Sequence, residues 1–306
     1  ELEGTGWYRT HTLLNKALRA RLQTDHPALA REQYRKAALW FEEHEAWTEA
    51  LDQAISSGDW DFAGQIVARS GAAMCLGADQ SVLIGLMARI PEACAHDYPE
   101  LAVGMAVAPA VRGDQPAVQR FLSLAEASLD TLSDSRRAVC VLAIRTLHAV
   151  HAYRVCDPIA MRVATDDAER ILSDLSYSDA PGWAYNRGSV HALRGIAELW
   201  AGQYETAAQM LRAGLASLPP ERVGHDEDIR LAGVLALAES GAGRFAEARE
   251  LARRALDTAR SRGRLRGGEA KWAWLAIAYV ETYSCDERAR DTIAQCAQVI
   301  DAHLSP

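Results

Sequence analysis

Residues Gly195–Pro219 read GIAELWAGQYETAAQMLRAGLASLP, and this stretch decides the fold. Its spacing predicts two helices joined by a turn at Gly202. On the second helix, Tyr204, Ala207, Leu211, Gly214 and Leu218 recur every three or four residues, which puts all five on one face. Gly195 and Ala207 are small where two crossing helices would meet, and Pro219 ends the hairpin.

The pattern recurs. Gly243 lies 41 residues after Gly202 and opens GRFAEARELARRAL, in which Phe245, Ala248, Ala252, Ala255 and Ala259 repeat the face. Upstream, Gly113 opens GDQPAVQRFLSLAEASL, with Val118, Leu122, Ala125 and Leu129 as the apolar stripe. Cys156, 43 residues later, opens CDPIAMRVATDDAERIL. Helix pairs of this length cannot cover their own apolar faces, so each must stack on its neighbours. The small, small, large and proline positions resemble the tetratricopeptide pattern. That resemblance implies an all-α chain, a right-handed superhelix of tetratricopeptide-like helix pairs. Regular pairs are expected from about Tyr98 to the end, the last being Gly268–Tyr283 with Asp286–Leu304.

Composition agrees with helices. Half of the 306 residues are hydrophobic but only 7% are aromatic, and no alternating Val/Ile/Thr run stands out. The net charge of −8 argues against non-specific nucleic-acid binding. Six cysteines, at positions 75, 94, 140, 156, 285 and 296, form no C-x-x-C; they read as small buried apolar residues in a reducing compartment. No signal peptide opens the chain and no apolar run approaches about 18 residues, so a soluble protein with no membrane contact is expected. A chain opening on Glu rather than Met reads as a piece of a longer one.

Residues 7–68 carry a more specific pattern. WYRTHTLLNKALRARL precedes HPALAREQYRKAALWFEEHEAWTEALDQAISSGDWDFAGQIV. Trp7, Tyr8, Arg9, His11, Leu13, Leu14, Leu18, Pro27, Ala38, Trp40, Ala50, Ala54, Gly58, Asp59 and Ala63 resemble the junction in large ATP-dependent LuxR-type regulators, the family of the maltose-regulon activator. There a winged-helix subdomain ends and short helices begin. His44-Glu45 departs from the Gly usual after the Trp-Phe helix, and Gln53 from a common His. Physically, Leu14, Leu18 and Leu22 stripe one helix, Pro27 interrupts it, and Asp59 suits the N-cap of the helix carrying Phe62.

The resemblance implies two regions: a winged-helix remnant with a small helical linker bundle over 1–70, and a tetratricopeptide-like effector-sensing superhelix over 71–306. It implies the effector-sensing and self-association region of a cytoplasmic transcription activator, whose inducer favours an ATP-bound, multimerising form. The partners are then a small-molecule effector and the other domains of the same protein. No G-x-x-x-x-G-K-S/T and no helix-turn-helix follow, so ATP belongs to an upstream domain and DNA reading to another. This stretch is expected to need no cofactor of its own and to bind no nucleic acid.

No catalytic constellation stands out, so no enzyme is expected. Ser189 and His191 lack a nucleophile elbow. His148, His151 and Cys156 share no completed metal motif and read as packing. His225-Asp226-Glu227-Asp228 reads as a loop favouring the start of the next helix. The arginines between Arg244 and Arg266 alternate with Glu247, Glu250 and Asp257 as an ordinary charged face. First helices of solenoid pairs line the concave surface. Candidate ligand residues there are Trp183, Tyr185, Asn186 and Arg187, with Arg145, His148 and Tyr153 on an earlier helix and Trp272, Trp274 and Tyr279 on a later one. The alternative use of that face is a scaffold that docks a peptide or protein.

Overall fold

A computed structural model describes residues 12–44, 46–76, 80–175, 183–217 and 226–304. Trp7, Tyr8, Arg9 and His11 lie outside them, as do Leu218 and Pro219. Every regular element among the described residues is helical, and none is a strand. Four helices open the chain: α1 (Thr12–Asp25), α2 (Pro27–Glu43), α3 (Trp47–Ser57) and α4 (Trp60–Leu76). Next come α5 (Gln80–Met87), the single turn α6 (Cys94–Asp97), α7 (Pro99–Arg112) and α8 (Gln115–Ser128). The longest, α9 (Asp134–Arg154), pairs with α10 (Pro158–Asp174). Three more pairs follow: α11 (Trp183–Trp200) with α12 (Tyr204–Ala216), α13 (Asp226–Gly241) with α14 (Phe245–Ser261), and α15 (Lys271–Tyr283) with α16 (Ala289–Leu304).

The turns explain the pairing. Gly113, Cys156, Gly202, Gly243 and Cys285 all have positive φ, between 51° and 80°. In each case the residue after it donates its N–H to a carbonyl five residues back, for example Gln203 to Glu198 at 2.8 Å and Arg244 to Glu239 at 2.9 Å. This closes a Schellman turn, which satisfies the last carbonyls of one helix and reverses the chain. Asp114 and Asp157 then cap α8 and α10, accepting from Ala117 N–H at 3.2 Å and Ala160 N–H at 2.9 Å. Asp59 caps α4 in the same way, through Phe62 N–H at 3.1 Å.

Within the Gly195 hairpin the helices run antiparallel and close together. A Cβ on Gly195 would stand 2.5 Å from Leu211 Cγ and 3.2 Å from the Ala207 carbonyl, and one on Gly214 would stand 3.2 Å from the Gly188 carbonyl. Between hairpins, α10 packs on α11, α12 on α13 and α14 on α15. The pair α7–α8 breaks this order, because α8 barely touches α9 while α4 and α7 pack on it instead.

One core runs unbroken from Ala38 in α2 to Ile144 in α9, so the opening helices share it with α7 and α8. A second core begins on the same helix at Ala149 and Ala152 and continues to Trp272. Of the stripe expected on α1, Leu14 and Leu18 are exposed and Leu22 is half-buried, on a helix that packs against α2. His44 stacks on Trp40 with ring centres 4.0 Å apart, and Gln53 is buried. The cysteine expectation needs correction. Cys94, Cys140 and Cys296 are buried, whereas Cys156 and Cys285 are exposed and fill the left-handed turn position that glycine holds elsewhere. No helix of the described residues is long and apolar enough to cross a membrane.

Candidate functional site

The expected ligand residues are spread over separate places. Trp183, Tyr185 and Asn186 sit in the first turn of α11, and their side chains lie outside the described ones. Trp272 is buried between α13 and α15, with its Cβ against Gly233. Trp274 points elsewhere and donates its indole N–H to the Leu265 carbonyl at 3.3 Å. Tyr153 stacks on Trp200, with centres 5.5 Å apart and planes 9° from parallel. Tyr279 stacks on Tyr283 at 4.5 Å, and the hydrogen bond between their hydroxyls raises the Tyr279 pKa.

Tyr153 and Tyr279 thus belong to an aromatic edge at the turn ends of the hairpins, together with residues the sequence did not single out. Phe245 lies 6.1 Å from the Tyr283 ring, and the Tyr204 ring occupies the space a Cβ on Gly241 would need. Tyr204 and Tyr283 are exposed.

Arg145 and His148 belong to a polar junction between hairpins. The Arg145 guanidinium lies 3.7 Å from Glu126 on α8 and 3.4 Å from Asp167 on α10. Its Nη1 donates to His148 Nδ1 at 3.4 Å. Burial lowers the His148 pKa, Glu126 opposes this, and the charge on Arg145 adds to the lowering.

Arg187 lies on α11, which packs on α10 and pairs with α12. Glu169 of α10 and His191 of α11 both feel its charge. Burial raises the Glu169 pKa against the pull of Arg187. Burial, then Arg187, lowers that of His191, whose ring N–H is bonded to the Ala213 backbone. Glu169 Oε1 and His191 Nδ1 are both buried and have no hydrogen-bond partner. With one ring nitrogen donating to a carbonyl, the orphaned Nδ1 is an acceptor. Two buried acceptors without donors carry a desolvation cost, commonly about 1–3 kcal/mol each, which a ligand could recover.

The two sets of residues match in turn register, although α8 barely touches α9 whereas α10 packs on α11. Glu126 and Glu169 each stand 13 residues after their left-handed turn residue, Arg145 and His191 each 11 residues before the next, and Asp167 and Ala213 each 11 after one. The sequence signal for Glu169 and His191 was therefore the turn register, not any local motif.

Other charged side chains pair with one another, some within a helix and some across hairpins. Arg262 forms a two-pronged bridge to Asp228, both contacts at 2.9 Å, and Arg260 pairs with Asp257 at 2.5 Å. Asp226 and Asp228 lie in the first turn of α13 rather than in a loop. No group of three or more potential metal ligands clusters among the described residues. Compared with protein-family models, with curated proteins and with solved structures, the chain finds no match.

Proposed function

We propose that this chain is the effector-sensing and self-association region of an ATP-dependent LuxR-type transcription activator, working in the cytoplasm by binding rather than by catalysis. In this reading the serial hairpins form a right-handed tetratricopeptide-like superhelix. The ATP-binding and DNA-reading parts belong to other domains of the same protein.

The observation that carries it is the second junction. Glu169 comes from one hairpin and Arg187 and His191 from the next, and two of their acceptor atoms are buried without donors. A ligand there would bridge two hairpins and would bind one relative arrangement better than another, which is the condition for shifting an equilibrium. Couplings of this kind are typically about 1–3 kcal/mol, within reach of one or two hydrogen bonds to charged groups.

Isothermal titration of the purified chain against a metabolite panel tests this. Saturable binding that weakens in Arg187→Ala is expected. A second reading, a peptide-docking scaffold, draws on the exposed Tyr204 and Tyr283 of the aromatic edge. Binding of peptides through those tyrosines, with no small-molecule ligand, would replace the first reading with the second.

A further inference from the structure

The outer face of α10 is apolar where a packed helix normally turns polar. Met161, Ala164, Thr165, Ala168 and Leu172 point inward and are buried. On the opposite side Ile159 is 75% exposed, and Val163, one turn on, is 59% exposed. Val155, in the turn that leads into the helix, is 55% exposed. Beside it Arg154 donates to the Val111 carbonyl at 3.4 Å, which sets the end of α7, with its exposed Val111, against that turn. Scattered surface aliphatics need no explanation, but a continuous run of them marks a contact surface.

Charge decides what covers it. Most charges along the stripe are neutralised within the chain: Arg162 bridges Glu198 at 3.1 Å, Asp166 pairs with Arg194, and Asp167 with Arg170. Asp157 caps the helix through the Ile159 and Ala160 N–H groups. Beyond that cap, the exposed charges with no ionic partner among the described residues lie at opposite ends. Arg112 and Arg154 stand at the start of the stripe, and Asp174 stands at its far end, beside the Ser173 hydroxyl at 3.3 Å. A partner of uniform charge would suit one end and be repelled at the other. A face that is apolar in the middle and opposite in charge at its two ends is complementary to itself turned end for end, which is the condition for a two-fold contact.

We propose that a second copy of this chain covers this face, with the two α10 helices antiparallel across a two-fold axis. Ile159 and Val163 of the two copies meet at the centre, and the Arg112–Arg154 end of each copy faces the Asp174 end of the other. This rests on the self-association part of the reading above and names its surface.

Sedimentation equilibrium of the 306-residue chain over a range of concentrations tests it. A monomer–dimer equilibrium is expected. Ile159→Glu and Val163→Glu should each weaken it at least about tenfold while keeping the parent's circular-dichroism spectrum and Tm, because both side chains are exposed. Ile293→Glu, at an exposed position on α16, should leave it unchanged. Arg154→Glu should weaken it about two- to tenfold, since the symmetry removes each attraction twice, and adding Asp174→Arg should restore it. A dimer that survives Ile159→Glu and Val163→Glu, or that Ile293→Glu weakens as much, overturns the surface and leaves self-association standing. No effect of Arg154→Glu overturns the antiparallel arrangement. A parent chain that stays monomeric overturns the surface and self-association together, without touching effector sensing. If that monomer binds phosphatidylcholine vesicles and Ile159→Glu does not, the face belongs to a lipid surface and the second copy is refuted.

Discussion

Replacing Gly233 by alanine sets two known effects against each other. Alanine is favoured over glycine inside a helix by about 1 kcal/mol, so a free helical glycine gains from the change. At Gly233 the space is already taken. A Cβ there would stand 2.6 Å from the backbone nitrogen of Ala273, 2.9 Å from Trp272 Cβ and 3.1 Å from the Trp272 carbonyl carbon. The nearest of these is backbone, so no side-chain rotation relieves it, and α13 and α15 must move apart by several tenths of an ångström. Overpacking of this kind costs about 1–3 kcal/mol, and opening the seam also loosens Trp272. The net expectation is a loss of about 1–2 kcal/mol and a fall in Tm of about 2–8 °C.

Gly85 in α5 supplies the control, because nothing lies within 4 Å of its would-be Cβ. Gly85→Ala should gain about 0.5–1 kcal/mol. Both variants can be read from urea unfolding followed by circular dichroism, with the midpoint shifting at constant slope. A Gly233→Ala protein as stable as the parent, alongside a stabilised Gly85→Ala, would mean that α13 and α15 do not meet as closely as described.

Cys156 and Cys285 should be the first of the described thiols to take a maleimide in the native protein, with Cys140 protected by burial and a pKa pushed up to about 12; early labelling of Cys140 by peptide mass mapping would contradict its placement. Glu169 has its pKa raised by burial, so its carboxylate form weakens the fold as pH rises through the folded pKa, and below the unfolded value the penalty is absent. Glu169→Gln is therefore expected to raise Tm at pH 7 and to lose that advantage toward pH 4; an advantage that persists at pH 4 would refute the assignment to ionisation. Glu239, fully buried between Arg212 and Arg244, should cost about 1–3 kcal/mol as Glu239→Ala, since both arginines are partly exposed and can hydrate. Glu205, the exposed partner of Arg244 at 2.5 Å, should cost about 0–1 kcal/mol as Glu205→Ala; equal losses in both urea titrations would count against the burial of Glu239.

The hairpins were legible because a tight reversal between helices makes a local demand on the backbone. A left-handed turn residue selects glycine, and glycine at 113, 202 and 243 marks the register. Cys285 is harder to read, since cysteine carries no turn signal and α16 starts later after its turn than α12 or α14 does. Small residues such as Gly195 and Ala207 were equally legible, because close helix approach excludes side chains. Where Trp272 and Trp274 point was not, and the reason is angular. Trp272 and Trp274 are two residues apart on one helix, about 200° around its axis, so they cannot serve one surface.

The buried glutamates were illegible for a different reason. Glu198, Glu239 and Glu281 each stand four residues before a turn residue, on consecutive first helices, and a lone glutamate in a helix reads as solvent-facing. Arg194 and Arg244, close in sequence, pair with Glu198 and Glu239, but each of these glutamates also has a partner distant in sequence. Arg162 reaches Glu198 at 3.1 Å and Arg212 reaches Glu239, each from the second helix of the preceding hairpin. Glu281 instead accepts from Thr292 of its own hairpin at 2.6 Å. A carboxylate whose partner lies one hairpin away can be buried only if the hairpins stack in register, and removing the partner leaves an unpaired charge.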